Sequence, residues 1–293
     1  MAKPQWQRVP LITQAAFEEA HQHNDHRLRD YQHRGRRGSV QLDRAELDQL
    51  DPAAAVFLHA GNTTARINWA RIVYRHVATM VGALDQSAPV AFVTLIEERF
   101  TITEAASASF DPRTLQRWTR ALLPHTNFVG MVEAALYTNV GLIRAGMKRA
   151  VSWHVHLIVW DASEARLGAL CAGINSRHAT LLPGVCAAHY RMLEPGEVEG
   201  QAWYMNKAPI SDHRVWPRRR EATDSDTGEI TVETTGRFTQ RKRELRPCDL
   251  ARMSRVMGDH HLDRLAFAAG DGRALLKAII DEARLPLLRL QRR

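Results

Sequence analysis

Apolar residues cluster into four runs through the middle of the chain, separated by stretches of helical spacing. The run at 151–160, VSWHVHLIVW, is interrupted only by His154 and His156, and its length and its β-branched and aromatic content favour a strand. Residues 90–97 (VAFVTLIE), 127–138 (NFVGMVEAALYT) and 185–193 (VCAAHYRML) read as strands as well. Between them, DPRTLQRWTRALLP at 111–124 predicts a helix with Asp111 at its N-cap and Pro112 at its first position. ASEARLGALCAGINSR at 162–177 and EVEGQAWYMNKA at 197–208 predict two more. The order is β-α-β-β-α-β followed by a helix. It implies an α+β fold: a split β-α-β-β-α-β core, with an antiparallel sheet and helices on one face.

The flanks are helical or polar. Residues 13–33 predict a polar helix, and 43–58 a second helix broken near Pro52. RGRRGSV at 34–40 reads as a basic linker. From Asn62, a candidate N-cap, a stronger helix runs to Leu84, with Trp69, Val73, Val77 and Met80 on one apolar face. DTG at 226–228 signals a turn between Thr-rich segments, so 221–246 predicts a hairpin or mobile arm. Residues 248–290 predict two or three short helices broken at Gly270–Gly272. Three regions follow: an N-terminal helical extension (1–60), a core domain (61–212), and a basic C-terminal arm with helices (213–293).

Composition adds little beyond an ordinary globular balance, but charge adds more. Of the net +8, +6 falls in residues 213–293, an asymmetry that suits a polyanionic partner. Arg218, Arg219 and Arg220, then Arg237, Arg241, Lys242, Arg243 and Arg246 beside Phe238, are candidate phosphate contacts. Three cysteines without CxxC spacing argue against a zinc ribbon or a disulfide framework and point to a reducing cytoplasm. No secretory signal and no membrane span are expected, since no run approaches the ~18 apolar residues that a span needs.

Candidate chemistry centres on the histidine strand. Side chains alternate along a strand, so His154 and His156 share one face, and two adjacent imidazoles can chelate a divalent ion when a neighbouring strand supplies a third ligand. Glu133 lies mid-strand with apolar residues on both sides, an expensive place for an unpaired carboxylate. If 127–138 pairs with the histidine strand, Glu133 becomes that third ligand. Two imidazoles and a carboxylate suit Mg²⁺ or Mn²⁺ with positions open to phosphate oxygens. Tyr204 and Lys207, at i and i+3, share a helix face. A tyrosine beside a metal can attack phosphorus, with a lysine steadying charge. The plainer alternatives are half-buried polar histidines, a core tyrosine and a solvated lysine.

FVTLI (92–96), HVH (154–156) and YMNK (204–207), in that order, resemble the three motifs of the HUH endonucleases. The Gly and Glu of VGMVEAALY resemble the plasmid rolling-circle replication initiators in particular. The resemblance covers roughly residues 89–210. It implies sequence-specific, metal-dependent nicking and rejoining of single-stranded or hairpin DNA at a replication origin, with a host replication helicase as partner. His154, His156 and Glu133 would hold the metal. Tyr204 would form a 5′-phosphotyrosine link and free a 3′-OH, Lys207 would orient it, and Thr94 would line the site. Two departures stand out. Ile96 replaces a frequent hydroxyl residue, and Gly200 sits one turn before Tyr204. Of the nearby acids, Glu197 shares the tyrosine's face while Glu199 does not, so termination by a glutamate-activated water or by a second tyrosine stays open.

Rival readings differ in what they require. A histidine-triad hydrolase needs a third alternate histidine, and that position is Ile158. A transposase or relaxase shares the chemistry and differs in its DNA. A non-catalytic DNA-binding regulator would keep the fold, but an intact Tyr204 with both histidines argues against it.

Overall fold

The structure, a computed structural model, describes residues 12–35, 40–85, 87–194, 196–223, 225 and 227–291. The first eleven residues, read above as lacking a secretory signal, the centre of the basic 34–40 linker, and Asp226 of the DTG turn lie outside the described residues.

Helix α1 (Gln14–Arg34) begins at Thr13, whose hydroxyl accepts from the Ala16 N–H at 3.2 Å. Helix α2 (Arg44–Gln49) gives way to a 3₁₀ segment at Pro52–Phe57, the break that Pro52 foretold. Asn62 caps α3 (Thr63–Ala83), accepting from the Ala65 N–H at 2.9 Å. Strand β1 (Val90–Thr103) runs six residues beyond its expected end into the short α4 (Glu104–Ser107). Helix α5 (Pro112–Leu122) has the expected Asp111 cap. Strands β2 (Asn127–Thr138) and β3 (Arg149–Trp160) follow, then α6 (Glu164–Asn175), β4 (Ala188–Met192) and α7 (Glu197–Met205). The C-terminal third supplies β5 (Ser211–Thr223), β6 (Ile230–Glu244), α8 (Pro247–Gly258), α9 (Leu262–Leu265), β7 (Ala266–Ala269) and α10 (Gly272–Leu290). Among the described residues no helix is long and apolar enough to cross a membrane.

The layering expected from sequence is wrong. The sheet is mixed, not purely antiparallel, and it curls into a half-barrel. Strand order is β4-β1-β3-β2-β5-β6, with β5 parallel to β2 through Leu136↔Asp212 and Thr138↔Arg214. Helices also cover both faces. Phe110, at the entrance to α5, stacks on Trp153 of β3, whereas Tyr204 of α7 packs edge-on to His156, on the other face of the same strand. The reason is visible in the central strands. β2 and β3 are buried at every position but their first, which requires cover on both sides. Read as evenly apolar runs rather than as alternating ones, they would have excluded a one-sided sheet.

Two strands share the outer edge of β2 end to end. Strand β7 pairs with Phe128–Met131 and β5 with Leu136–Thr138. On the opposite side of β2, Gly130 allows a close approach of β3, because a Cβ at that position would lie 2.2 Å from Leu157 Cδ2. The hairpin read at 221–246 is the β5–β6 ribbon, which starts ten residues earlier, at Ser211, and carries Pro217 at a bulge. The basic segment 211–220 is therefore a strand. β7, with four residues, left no recognisable signal.

Candidate metal centre

The register of β2, β3 and β1 builds the site. Glu133 pairs with His154, and Thr94 with His156, so all four side chains rise from one sheet face. Candidate ligand atoms of Glu133, His154 and His156 lie within 4.8 Å of one another. His156 Nε2 is 3.1 Å and His154 Nε2 3.7 Å from Glu133 Oε2. All three residues are buried.

Both rings are oriented from behind. His156 Nδ1 meets Thr94 Oγ1 at 2.9 Å, and His154 Nδ1 lies 3.2 Å from the Ser152 carbonyl. These contacts leave each Nε2 facing the carboxylate, which is the arrangement of metal-bound histidines. Burial, together with the Lys207 ammonium, pushes His156 down to about 3, and burial lowers His154 too. Both rings are therefore neutral near pH 7, with lone pairs available for coordination. Burial is the largest influence on Glu133 and opposes its charge, but the Lys207 ammonium, His154 and the His156 hydrogen bond together outweigh it and hold the carboxyl well below its usual range. The cluster can therefore hold a divalent ion: its donors converge, are unprotonated, and are backed by fixed hydrogen bonds.

Helix α7 brings Tyr204 to this face. It stops at Met205, three residues short of expectation, so Lys207 lies just past the helix end. The two side chains still meet, with Lys207 Nζ 4.0 Å above the Tyr204 ring. Nζ also contacts Glu133 Oε2 directly and lies 3.2 Å from His156 Nε2. The Tyr204 ring packs edge-on against His156 at 5.4 Å and Phe92 at 5.9 Å. Burial raises the Tyr204 hydroxyl above its ordinary pKa, partly countered by Lys242, whose Nζ lies 6.0 Å from the ring centre.

Three buried side chains hold the 205–208 turn through polar atoms; Trp69 was expected only on the apolar face of α3, and the roles of Arg66 and His21 were not foreseen. Arg66 donates to the carbonyls of Asn206 and Lys207 at 3.0 and 3.3 Å. Trp69 Nε1 donates to Asn206 Oδ1 at 2.9 Å. His21 accepts from the Ala208 N–H at 2.9 Å and hydrogen-bonds the Phe17 carbonyl through Nδ1. Arg66 was detectable, since it sits one turn before Trp69 and Ala70 on the apolar face of α3. His21 was not, because it lies in a polar helix among three other histidines.

Other expected site residues fall elsewhere. Glu197 sits about 10 Å up the helix from Tyr204, bonded to Arg191 at 2.8 Å and to the Glu194 N–H at 3.0 Å. Glu199 takes a 3.3 Å hydrogen bond from Tyr74. The basic residues divide. Lys242 pairs with His213, on the metal face, while Arg241 and Arg243 pair with Arg214 and Asp212, on the other. Arg218, Arg219 and Arg220 are exposed on β5, and Arg237 is exposed on β6. Arg246 stands at the N-cap position of α8, without a side-chain cap, and pairs with Asp249 at 2.7 Å. Comparison of the chain with protein-family models, with curated proteins and with solved structures finds no match.

Proposed function

We propose that the chain is a metal-dependent endonuclease and strand transferase for single-stranded DNA, with Tyr204 as nucleophile, and that it initiates rolling-circle replication at an origin. The observation that supports this most is the meeting of Tyr204 of α7 and Lys207 just past its end with a carboxylate and two neutral imidazoles on one sheet face. Motif order in the sequence agrees, as set out in the resemblance to HUH endonucleases.

Glu133, His154 and His156 would hold Mg²⁺ or Mn²⁺, which when bound supplies Lewis-acid polarisation of a phosphate oxygen. Tyr204 Oη forms a bond to phosphorus, the P–O3′ bond breaks, and the phenolic proton ends on the departing 3′ oxygen. Lys207, seated over the tyrosine ring, stabilises the developing phenolate. The link is reversible, so a later 3′-OH can displace Tyr204. Work of this kind belongs in the cytoplasm beside a host helicase.

Tyr204→Phe tests the reading. Wild type with Mn²⁺ and a library of single-stranded oligonucleotides yields a denaturation-resistant adduct whose modified peptide contains Tyr204. The variant yields none, while DNA binding changes by less than about 1 kcal/mol. Cleavage without adduct would make the protein a hydrolytic nuclease instead. One observation favours a second reading: Lys207 already places a cation on Glu133. A DNA-binding regulator with an internal ion pair in place of a metal would show no Mn²⁺ binding by calorimetry and no cleavage.

A further inference from the structure

The sheet face opposite the metal centre carries a cationic cavity that the proposed chemistry does not use. Its volume is about 590 Å³, within the range of small-ligand pockets. Lys148, Arg149, Arg214, Arg243 and Arg246 line it together with Trp216. Pairing fixes its side of the sheet. Arg149 and Arg214 both register with Thr138, five residues and one face away from Glu133.

Two fully buried aspartates organise the wall. Asp212 accepts Arg243 Nε at 2.8 Å and the Thr138 hydroxyl at 3.2 Å. Asp249 takes Arg246 at 2.7 Å, with Arg149 at 3.7 Å. Glu104 also reaches Arg149, at 4.0 Å, so three carboxylates meet the five cations and the wall keeps a positive excess. Among the described residues Arg214 and Lys148 form no ion pair, and Arg214 Nε has no hydrogen-bond partner. The guanidinium lies instead 5.0 Å above the Trp216 ring, and that indole stays 38% exposed. An exposed indole backed by an uncommitted guanidinium is a stacking platform. A concave site gives that platform to an unpaired base, because the bases of a duplex are already stacked on one another.

We propose that this cavity is a second nucleic-acid site, which receives an unpaired nucleotide with its base on Trp216 and its phosphate against Arg214 and Lys148. It is independent of cleavage at Tyr204, and it gives the protein a hold on a single strand from the face away from the metal.

The test measures binding of fluorescein-labelled dT20 and rU20 to the full chain in EDTA, so that cleavage plays no part. Trp216→Ala and Arg214→Gln are each expected to weaken dT20 binding about tenfold. Lys148→Ala, at an exposed position, lowers the salt slope by about one and cannot affect folding through burial. An abasic 20-mer binds wild type more weakly than dT20 but loses nothing further in Trp216→Ala. Equal losses for dT20 and rU20 leave the sugar unread, whereas a loss with only one of them identifies the natural strand. Unchanged affinity in both Trp216→Ala and Arg214→Gln overturns the proposal. So does a 20-base-pair duplex that shows the same Trp216 dependence, since its bases cannot stack there.

Discussion

The metal face and the far half of the β5–β6 ribbon carry the same kinds of charge under opposite conditions. Glu133 and Lys207 meet with only 7% of each exposed, between neutral histidines. Arg220 and Glu233 meet at 3.2 Å, with side chains 70% and 51% exposed. In the first place water cannot take over from a lost partner; in the second it does so at once. Charge on the metal face is therefore positional, fixed by register and by the 205–208 turn. On the ribbon it is exposed, and no single geometry is imposed on it.

The largest expected effect tests the buried half of that contrast. Glu133→Gln leaves the Lys207 ammonium buried without its carboxylate and should cost about 3–5 kcal/mol in urea denaturation with EDTA present. Adding Lys207→Met to it should restore most of the loss. A single-variant loss below about 1 kcal/mol would mean that the cluster is wetter than its burial indicates, and the contrast would fail.

A smaller effect comes from acid. Burial pushes His21 down to about 3, from an ordinary 6.5. The unfolded chain therefore binds the extra proton first, and stability present above pH 6.5 is lost as the pH falls toward 3. Between pH 7 and pH 5 the contribution is about 2 kcal/mol. Urea midpoints of His21→Gln should fall less steeply over that range than those of wild type. Parallel profiles would remove His21 from the linkage. The smallest effect belongs to the ribbon: Arg220→Gln with Glu233→Gln should change stability by less than about 1 kcal/mol and vanish in 0.5 M salt.

Much of this was legible in sequence, for identifiable reasons. Asn62, Asp111 and Pro52 act within one turn of the chain, so their caps and break could be read directly. The meeting of Glu133 with His154 needed only that β2 and β3 be paired neighbours, and the β-period did the rest. What failed was non-local. Nothing in Leu136 or Asp212 announces that they run parallel, and the helix cover on both faces was hidden in the uniform burial of β2 and β3. Trp216 was passed over because one tryptophan in a basic stretch gives no sign of its neighbours. Its meaning depends on Lys148 and Arg149, some seventy residues earlier.

The shared outer edge of β2 has a consequence for the order in which the protein is made. Phe128–Met131 is bordered by β7, a strand that does not exist until residue 269 has been synthesised. At about 5–20 residues per second, that is roughly 7–26 s after β2 itself is complete. Until β5 is made, from Ser211 on, the whole outer edge of β2 is unsealed, and from then until β7 is made half of it remains so. The emerging protein thus passes through a window in which its central strand is open to pairing with another chain. Chains that end near residue 250, before β7, should therefore be more aggregation-prone than the released full chain.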